Sequence, residues 1–398
     1  MSDTSNPINK SLVQEQEVPV AEASYAGSVY VPIFQAHAVF ADLPPAYVPA
    51  EIAKFVSPEL WTTLNSLSTF QIRQHVKILP KTCCTCPPCV IQENTYSVYG
   101  GFEQNAQHEL LRIDEVSNDW NRCCCKPYHP LRLEVRQYIP IPGDEGVSEW
   151  NHLTGDTSHD WNRLTGNDRA IAVRELYKQQ PPMFSMVRDN GQRCISFPCK
   201  CLATFVCCNC CQDGMHIYGG RIEDIKGQEG NPNNLPEEHF IASVIQPNFG
   251  GWCHPQVNLR KERDDESKPF GKVVGPCFFG GCSEFCCDFE FNVSKYDSDN
   301  TGDLAKITKV RAKGMAGALK EAATDADNYS IEFNQDAQLG AAEKLSIIGA
   351  QVLTDYMIFD GNTEKCKCTR DGLYIYCFYC SVIGKACPCC IFIPNPQR

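Results

Sequence analysis

The sequence predicts a mainly β fold, a barrel or sandwich of many short strands with one late helix. Three observations carry that prediction. First, from Phe70 onward, short runs of β-branched and aromatic residues alternate with polar ones. Phe285, Cys287, Phe289, Phe291 and Val293 interleave with Glu284, Cys286, Asp288, Glu290 and Asn292, the period-two pattern of a strand. Leu131 to Arg136 reads the same way. Second, Gly and Asn/Asp punctuation such as Asp189-Asn190-Gly191 falls between these runs and suggests hairpins. Third, a long apolar helical pattern comes late, over Ala337 to Phe359, with Asp336 as N-cap and Gly361 as stop.

Taken in order, residues 1–50 lack regular periodicity and carry Pro19, Pro32, Pro44, Pro45 and Pro49, so they read as a partly extended, disordered arm. Within it, Pro44-Pro45-Ala46-Tyr47 spells PPxY, a turn that docks on the aromatic groove of a WW domain. An ordinary proline-rich stretch is the alternative. The folded domain is expected over 51–361, opening with a short amphipathic helix from Ile52 to Leu67 that places Trp61 and Leu64 on one face. An inserted surface loop interrupts it at about 144–181. There Trp150-Asn151-His152-Leu153-Thr154-Gly155 recurs as Trp161-Asn162-Arg163-Leu164-Thr165-Gly166, followed by a short helix near Arg169 to Gln179. Residues 362–398 form a Cys-rich apolar tail.

The 398-residue chain has a formal net charge of -12, which argues against a general nucleic-acid binder, because phosphate neutralisation needs clustered Lys and Arg. The N-terminal MSDTSNPINKSLVQEQE shows no charged region followed by an apolar one, so a secretory signal is not expected and the compartment should be reducing. The 26 cysteines then need an account other than a disulfide framework.

They come in bursts: Cys83 to Cys89, Cys123 to Cys125, Cys194 to Cys211, Cys277 to Cys287, and Cys366 to Cys390. A structural zinc site needs four tetrahedral ligands, and adjacent pairs such as Cys207-Cys208 do not easily share one ion. Thioester acylation suits adjacent cysteines better, since two or more chains turn marginal membrane binding into stable anchoring. Palmitate on Cys199, Cys201, Cys207, Cys208, Cys210 and Cys211 is therefore the favoured reading, with metal binding or inert buried thiols as alternatives.

Several motifs then fall into a recognisable order. Thr95-Tyr96-Ser97-Val98-Tyr99-Gly100-Gly101-Phe102 is followed by Arg122-Cys123-Cys124-Cys125-Lys126-Pro127, Cys207-Cys208-Asn209-Cys210-Cys211, Gly275-Pro276-Cys277 and Cys287-Asp288-Phe289-Glu290-Phe291. Thr324-Asp325-Ala326-Asp327-Asn328-Tyr329-Ser330-Ile331-Glu332-Phe333 then leads to Lys344 and Ile348 to Phe359. Over roughly Thr95 to Gly361 the chain resembles the phospholipid scramblase family. The resemblance implies a tubby-like closed β-barrel of about twelve strands around a buried hydrophobic C-terminal helix. It also implies calcium-activated, ATP-independent, bidirectional scrambling of phospholipids between leaflets, with the membrane lipids as partners and palmitate on the Cys207 to Cys211 cluster. The insertion and the tail depart from the family pattern.

By the same resemblance, Asp325, Asp327, Tyr329, Ile331, Phe333 and Asp336 occupy an EF-hand-like calcium loop. Calcium wants about six to eight oxygens, and here Tyr329, Ile331 and Phe333 offer only backbone carbonyls or a phenol. Their alternation with Ser330, Glu332 and Asn334 also reads as a strand, which does not wrap an ion. A calcium site here would be weak, with water completing the shell.

The apolar heart of the late helix, Leu345 to Leu353, is shorter than the about 20 residues a bilayer span needs, so a buried core helix is favoured. The tail, apolar from Leu373 to Gly384 and again at Ile391-Phe392-Ile393, fits an acylated segment lying in the membrane interface. Its Cys366, Cys368, Cys377, Cys380, Cys387, Cys389 and Cys390 are candidates for acylation or, through Cys366, Cys368, Cys377 and Cys380, for a zinc knuckle. Lys306, Lys309, Arg311 and Lys313 lie where related proteins carry a nuclear import signal, and are read here as a solvated strand edge. No nucleophile–base set or phosphate-cradling Gly loop stands out, so a chemical catalyst is not expected. The function expected is lipid scrambling at the cytoplasmic face of a membrane, with homo-oligomers as a route to activity. The alternative is a palmitoylated membrane-tethered adaptor or a lipid-binding barrel without transport activity.

Overall fold

The computed structural model describes residues 52–75, 94–101, 109–116, 131–138, 180–189, 212–221, 239–262, 267–298, 300–311, 327–359, 366–383 and 385–395. The arm with Pro44, Pro45 and Tyr47, nearly all of the 144–181 insertion, Asp325, and the cluster Cys199, Cys201, Cys207, Cys208, Cys210 and Cys211 lie outside the described residues.

The chain enters through helix α1 (Pro58–Ser66), shorter than the 52–67 expected. Ser57 sets its start: the side chain accepts from the Leu60 N–H at 3.2 Å, and Pro58 occupies the first turn, where a missing N–H is harmless. Leu60, Trp61 and Leu64 form its buried face.

Strands follow in quick succession: β1 (Thr69–His75), β2 (Thr95–Gly100), β3 (Glu109–Glu115), β4 (Leu131–Gln137), β5 (Phe184–Asp189) and β6 (Gly214–Gly219). After them come β7 (Phe240–Ile245), β8 (Gln256–Arg260), β9 (Gly271–Val274), β10 (Phe278–Phe279), β11 (Phe289–Lys295), β12 (Ala305–Lys309) and β13 (Asn328–Phe333). All except β10 close into a twelve-stranded barrel, and every pairing is antiparallel. Closure is made by β13 against β1, with Phe70 opposite Ile331 and Ile72 opposite Tyr329. It removes the unpaired edges that an open sheet of this size would expose. Alternation along each strand sends one set of side chains inward, as with Leu111 and Ile113, Phe291 and Val293, or Tyr329, Ile331 and Phe333.

The barrel is filled by α2 (Ala341–Thr354), which widens at its end into a π-turn over Asp355–Phe359. Leu345, Ile347, Ile348, Ala350, Val352 and Leu353 are fully buried, so the helix is covered around its whole circumference. Gly349 allows its close approach to the wall, since a Cβ there would lie 2.9 Å from Ile217 Cδ1. No helix among the described residues is long and apolar enough to cross a membrane.

Two boundaries differ from the sequence reading. The helix starts at Ala341 with Gly340 as N-cap, because Asp336 is used in a separate 3-10 turn (Gln335–Ala337) capped by the Asn334 side chain, and Gln338 is left-handed. Strand β11 starts at Phe289, because Gly281–Phe285 forms a 3-10 turn that breaks the alternating run.

The tail builds a second sheet. Strands β14 (Cys366–Cys368), β15 (Gly372–Val382) and β16 (Lys385–Pro394) join β10 in the order β10-β15-β14, with β16 also on β15. Tyr379 and the Phe279 of β10 face the barrel core, while Phe278 faces out. Gly281 lets the 3-10 turn press onto β15: it holds φ +63°, and a Cβ would lie 2.6 Å from the Tyr376 carbonyl oxygen.

Candidate functional site

Beside the π-turn, where α2 ends, the barrel interior carries a buried polar network. On β12 the inward positions are Ala305, Ile307 and Lys309, so the strand period itself sends a lysine into the core. Lys309 Nζ donates to Glu284 Oε1 at 2.8 Å and lies 2.9 Å from Asp327 Oδ2 and 3.6 Å from the centre of the Phe359 ring. Burial alone would push this ammonium's pKa down, but Asp327 and Glu284 more than offset it and hold the group above the ordinary lysine range. Across the interior, Asp355 accepts from Tyr329 Oη at 2.5 Å and from Tyr96 Oη at 2.7 Å. Burial, then the Asp355 and Asp327 carboxylates, hold Tyr329 firmly in its neutral, donating form. Tyr356 Oη donates to Glu115 at 2.8 Å. Five strand or turn segments are thereby tied to the end of one helix.

The residues of the expected calcium loop are distributed differently from an ion-binding loop. Tyr329, Ile331 and Phe333 point into the core along β13; Asp327 pairs with Lys309; Asp336 stands on the exposed turn beyond the strand. Asp327 and Asp336 thus flank an extended segment roughly 20 Å long, so the described members of the set do not converge. Lys309 also departs from the solvated placement expected of it, and β12 is paired on both sides and is no edge, whereas Lys306 faces solvent, paired with Glu290 at 2.6 Å.

The tail cysteines lie on paired strands. Cys366 is opposite Ile375, Cys368 opposite Leu373, Cys380 opposite Cys387, and Cys390 opposite Tyr376, while Cys377 falls at the bulge between Tyr376 and Phe378. Cys389 sits opposite Phe378. Among the described residues no group of three or more His, Cys, Asp or Glu side chains is arranged to hold a metal ion. Cys253, Cys277, Cys286 and Cys287 form no disulfide.

On the outer wall, His75 Nε2 lies 2.8 Å from Ser97 Oγ, which donates to Glu109 Oε1 at 2.6 Å. Ser97 thereby links His75 and Glu109 in one short polar relay. Burial pushes Glu109 up to about 7, opposed by the Ser97 hydrogen bond and Arg112. A carboxyl whose folded pKa exceeds its unfolded value favours the fold while protonated. Stability from this group is present at low pH and falls as pH rises from about 4.5 through about 7. Glu109→Gln is expected to flatten that segment of the curve, with a gain of roughly 2 kcal/mol at most above pH 7, read by chemical denaturation across pH.

A closed twelve-stranded barrel around an apolar helix is the fold that the motif order implies, and the family comparison agrees: the Scramblase family model matches residues 164–361. Residues 164–361 form a Scramblase family segment. Human phospholipid scramblase 1 is 29% identical over 205 residues, covering 51% of this chain and 54% of that protein. Rat phospholipid scramblase 1 is 35% identical over 214 residues, covering 52% of each. Bovine phospholipid scramblase 2 is 32% identical over 198 residues, covering 50% of this chain and 57% of its own length. The chain thus spans about half the length of the curated relatives it matches. No solved structure matches it.

The scramblase match takes in β5 to β13, Glu284, Lys309, Asp327 and the whole of α2, and it ends before β14. The buried network is therefore largely part of the family segment, and the cysteine-rich second sheet stands outside it. Sequence reasoning missed the network because Glu284, Lys309 and Asp327 are far apart along the chain. The one local signal was the shared parity of Ala305, Ile307 and Lys309.

Proposed function

We propose that this chain moves phospholipids between membrane leaflets, bidirectionally, without ATP and under calcium activation. It acts as a lipid transporter and not as a chemical catalyst. The observation carrying this reading is the Scramblase family match over 164–361, supported by the likeness to phospholipid scramblases 1 and 2. A headgroup needs a polar path through hydrocarbon, where an isolated charge costs several kcal/mol. Helix α2 is covered on every side by the barrel and does not line such a path alone. Activity is accordingly assigned to oligomers or to local distortion of the bilayer, on the cytoplasmic face of the membrane. Palmitate on Cys199, Cys201, Cys207, Cys208, Cys210 and Cys211 supplies the anchor, and calcium acts as a weak ligand whose shell water completes. The PPxY of Pro44, Pro45 and Tyr47 recruits WW-domain proteins.

Reconstitution into liposomes carrying fluorescent phospholipid on both leaflets tests the activity. Dithionite should bleach the inner-leaflet pool only when folded protein and calcium are both present, and chelation should return the rate to that of empty vesicles. No exchange above that baseline would remove the activity. The burial of α2 favours the membrane-tethered adaptor as the second reading, in which the barrel recruits partners and lipid stays in its leaflet.

A further inference from the structure

Among the described residues, eight of nine exposed large apolar side chains gather on the second sheet, the turn after β10, and the loop before β8. Single exposed apolar residues need no explanation, but a contiguous group does. Contacts join them. The Phe249 and Trp252 rings stack with centroids 5.5 Å apart. Ile383 N donates to the Trp252 carbonyl at 3.0 Å, which fixes the loop to the β15–β16 hairpin end. Cys277 Sγ donates to the Cys253 carbonyl at 3.2 Å, and Phe278 stands edge-on to Phe378 of β15 at 5.1 Å.

The loop is built at a conformational cost. Phe249 and Trp252 both hold φ near +61°, a region that bulky L-residues rarely adopt. Strain of this kind persists where the surroundings over-determine it, and it clusters at functional positions. What it achieves here is the display of two stacked rings, with Trp252 63% exposed and Phe278 beyond it 58% exposed. Nothing in the barrel core needs either ring outside.

Charge selects the occupant. Residues 366–395 carry Lys367, Arg370 and Lys385 against Asp371, a local balance of +2 on a chain of -12. Lys367 and Arg370 are exposed at the end of the sheet opposite the hairpin tip. A second copy would bring the same positive charges against these, whereas an anionic lipid surface complements them. The basic pair therefore stands beside the exposed Ile391, Phe392 and Ile393 at one end of the sheet, with the Trp252 and Phe249 rings at the other, and apolar side chains together with basic residues suit an interfacial lipid contact.

We propose that the Phe249/Trp252 loop, Phe278 and the outer face of the second sheet form a docking surface for anionic phospholipid bilayers, which binds through these side chains without any acyl chain. The loop and Phe278 lie inside the scramblase match and the tail strands outside it, and the surface orients the barrel on the membrane. It rests on the scrambling reading only in taking phospholipid as the partner.

The full chain purified from bacteria, with unacylated thiols, should float with phosphatidylcholine vesicles containing phosphatidylserine and far less with phosphatidylcholine alone. The double variant F249S/W252S should bind at least about tenfold more weakly while keeping the same thermal transition. W252F should keep the binding but lose much of the fluorescence quenching by brominated lipid. Unchanged partition of the double variant would overturn the proposal. So would failure of the parent to bind, or a W252F variant quenched like the parent. If the double substitution instead turns a dimer into a monomer in sedimentation velocity, with vesicle binding unaltered, the face is a self-interface and the proposal is likewise overturned. Binding is scored without leaflet exchange, so a protein that docks yet moves no lipid removes the scrambling activity and leaves this surface standing.

Discussion

Lys309→Ala is expected to cost about 3–5 kcal/mol of folding free energy, read as a lower denaturation midpoint with an unchanged slope. The reason lies in what remains. Glu284 and Asp327 both face Lys309 Nζ inside 3 Å and are themselves buried, so removing the ammonium strands two carboxylates away from water. The loss should ease as pH is lowered, because protonating the stranded carboxyls relieves their unpaired charge. Replacing all three residues together with apolar ones of similar volume should recover much of the stability, since a buried ion network is costly to form as well as to break. A triple variant as unstable as the single one would show that the network, and not merely its pairing, holds the barrel end. Phe359 touches the same ammonium and packs near Phe279, Phe289, Phe291 and Tyr329. Its own truncation should therefore couple strongly with that of Lys309.

Ile348→Lys should be more severe still, with a loss on the order of 5 kcal/mol or more and little folded protein recovered. Ile348 is fully buried midway along α2, among strands that close on all sides and leave a charged side chain no route to solvent. Limited proteolysis and near-ultraviolet circular dichroism of the purified variant would read the outcome. A folded, protease-resistant variant would mean that the helix leaves the barrel, as a membrane-spanning role would require. The reverse exchange at exposed Lys261, Lys261→Ile, should change stability by less than about 0.5 kcal/mol.

The barrel was legible in the sequence wherever alternation was undisturbed. Phe289, Phe291 and Val293 alternate inward in β11, as do Tyr329, Ile331 and Phe333 in β13. The all-round apolar character of Leu345 to Leu353 marked a core helix for the same reason, since no polar stripe remained to face water. Where two local signals competed, the sequence was less decisive. Asp336 looked like an N-cap, yet the Asn334 side chain and left-handed Gln338 spend it in a turn first. Cys286, Cys287 and Phe285 continue an alternating pattern that the Gly281 turn interrupts through a backbone contact with β15, a residue pair that no local pattern encodes. The charged network is illegible for the same cause. Each member is a lone polar residue at an inward position, and its meaning comes from a partner supplied by another strand. The tail gave its composition but not its pairing, because apolar cysteine-rich runs fit an interfacial segment and a sheet equally well.

The order of elements along the chain also dictates an assembly sequence. Strand β1 is the first of the barrel to be synthesised, and its closing partner β13 is nearly the last, so Phe70 waits for Ile331 before the wall is complete. The helix that fills the interior follows even later. During synthesis the nascent wall is therefore a long open ribbon with two unpaired edges and an unfilled apolar face. Closure of so distant a pair makes for slow folding and exposure to aggregation before the wall is complete. A chain truncated before residue 341 should be aggregation-prone and protease-sensitive, and one extended through Phe359 should form a closed, resistant barrel.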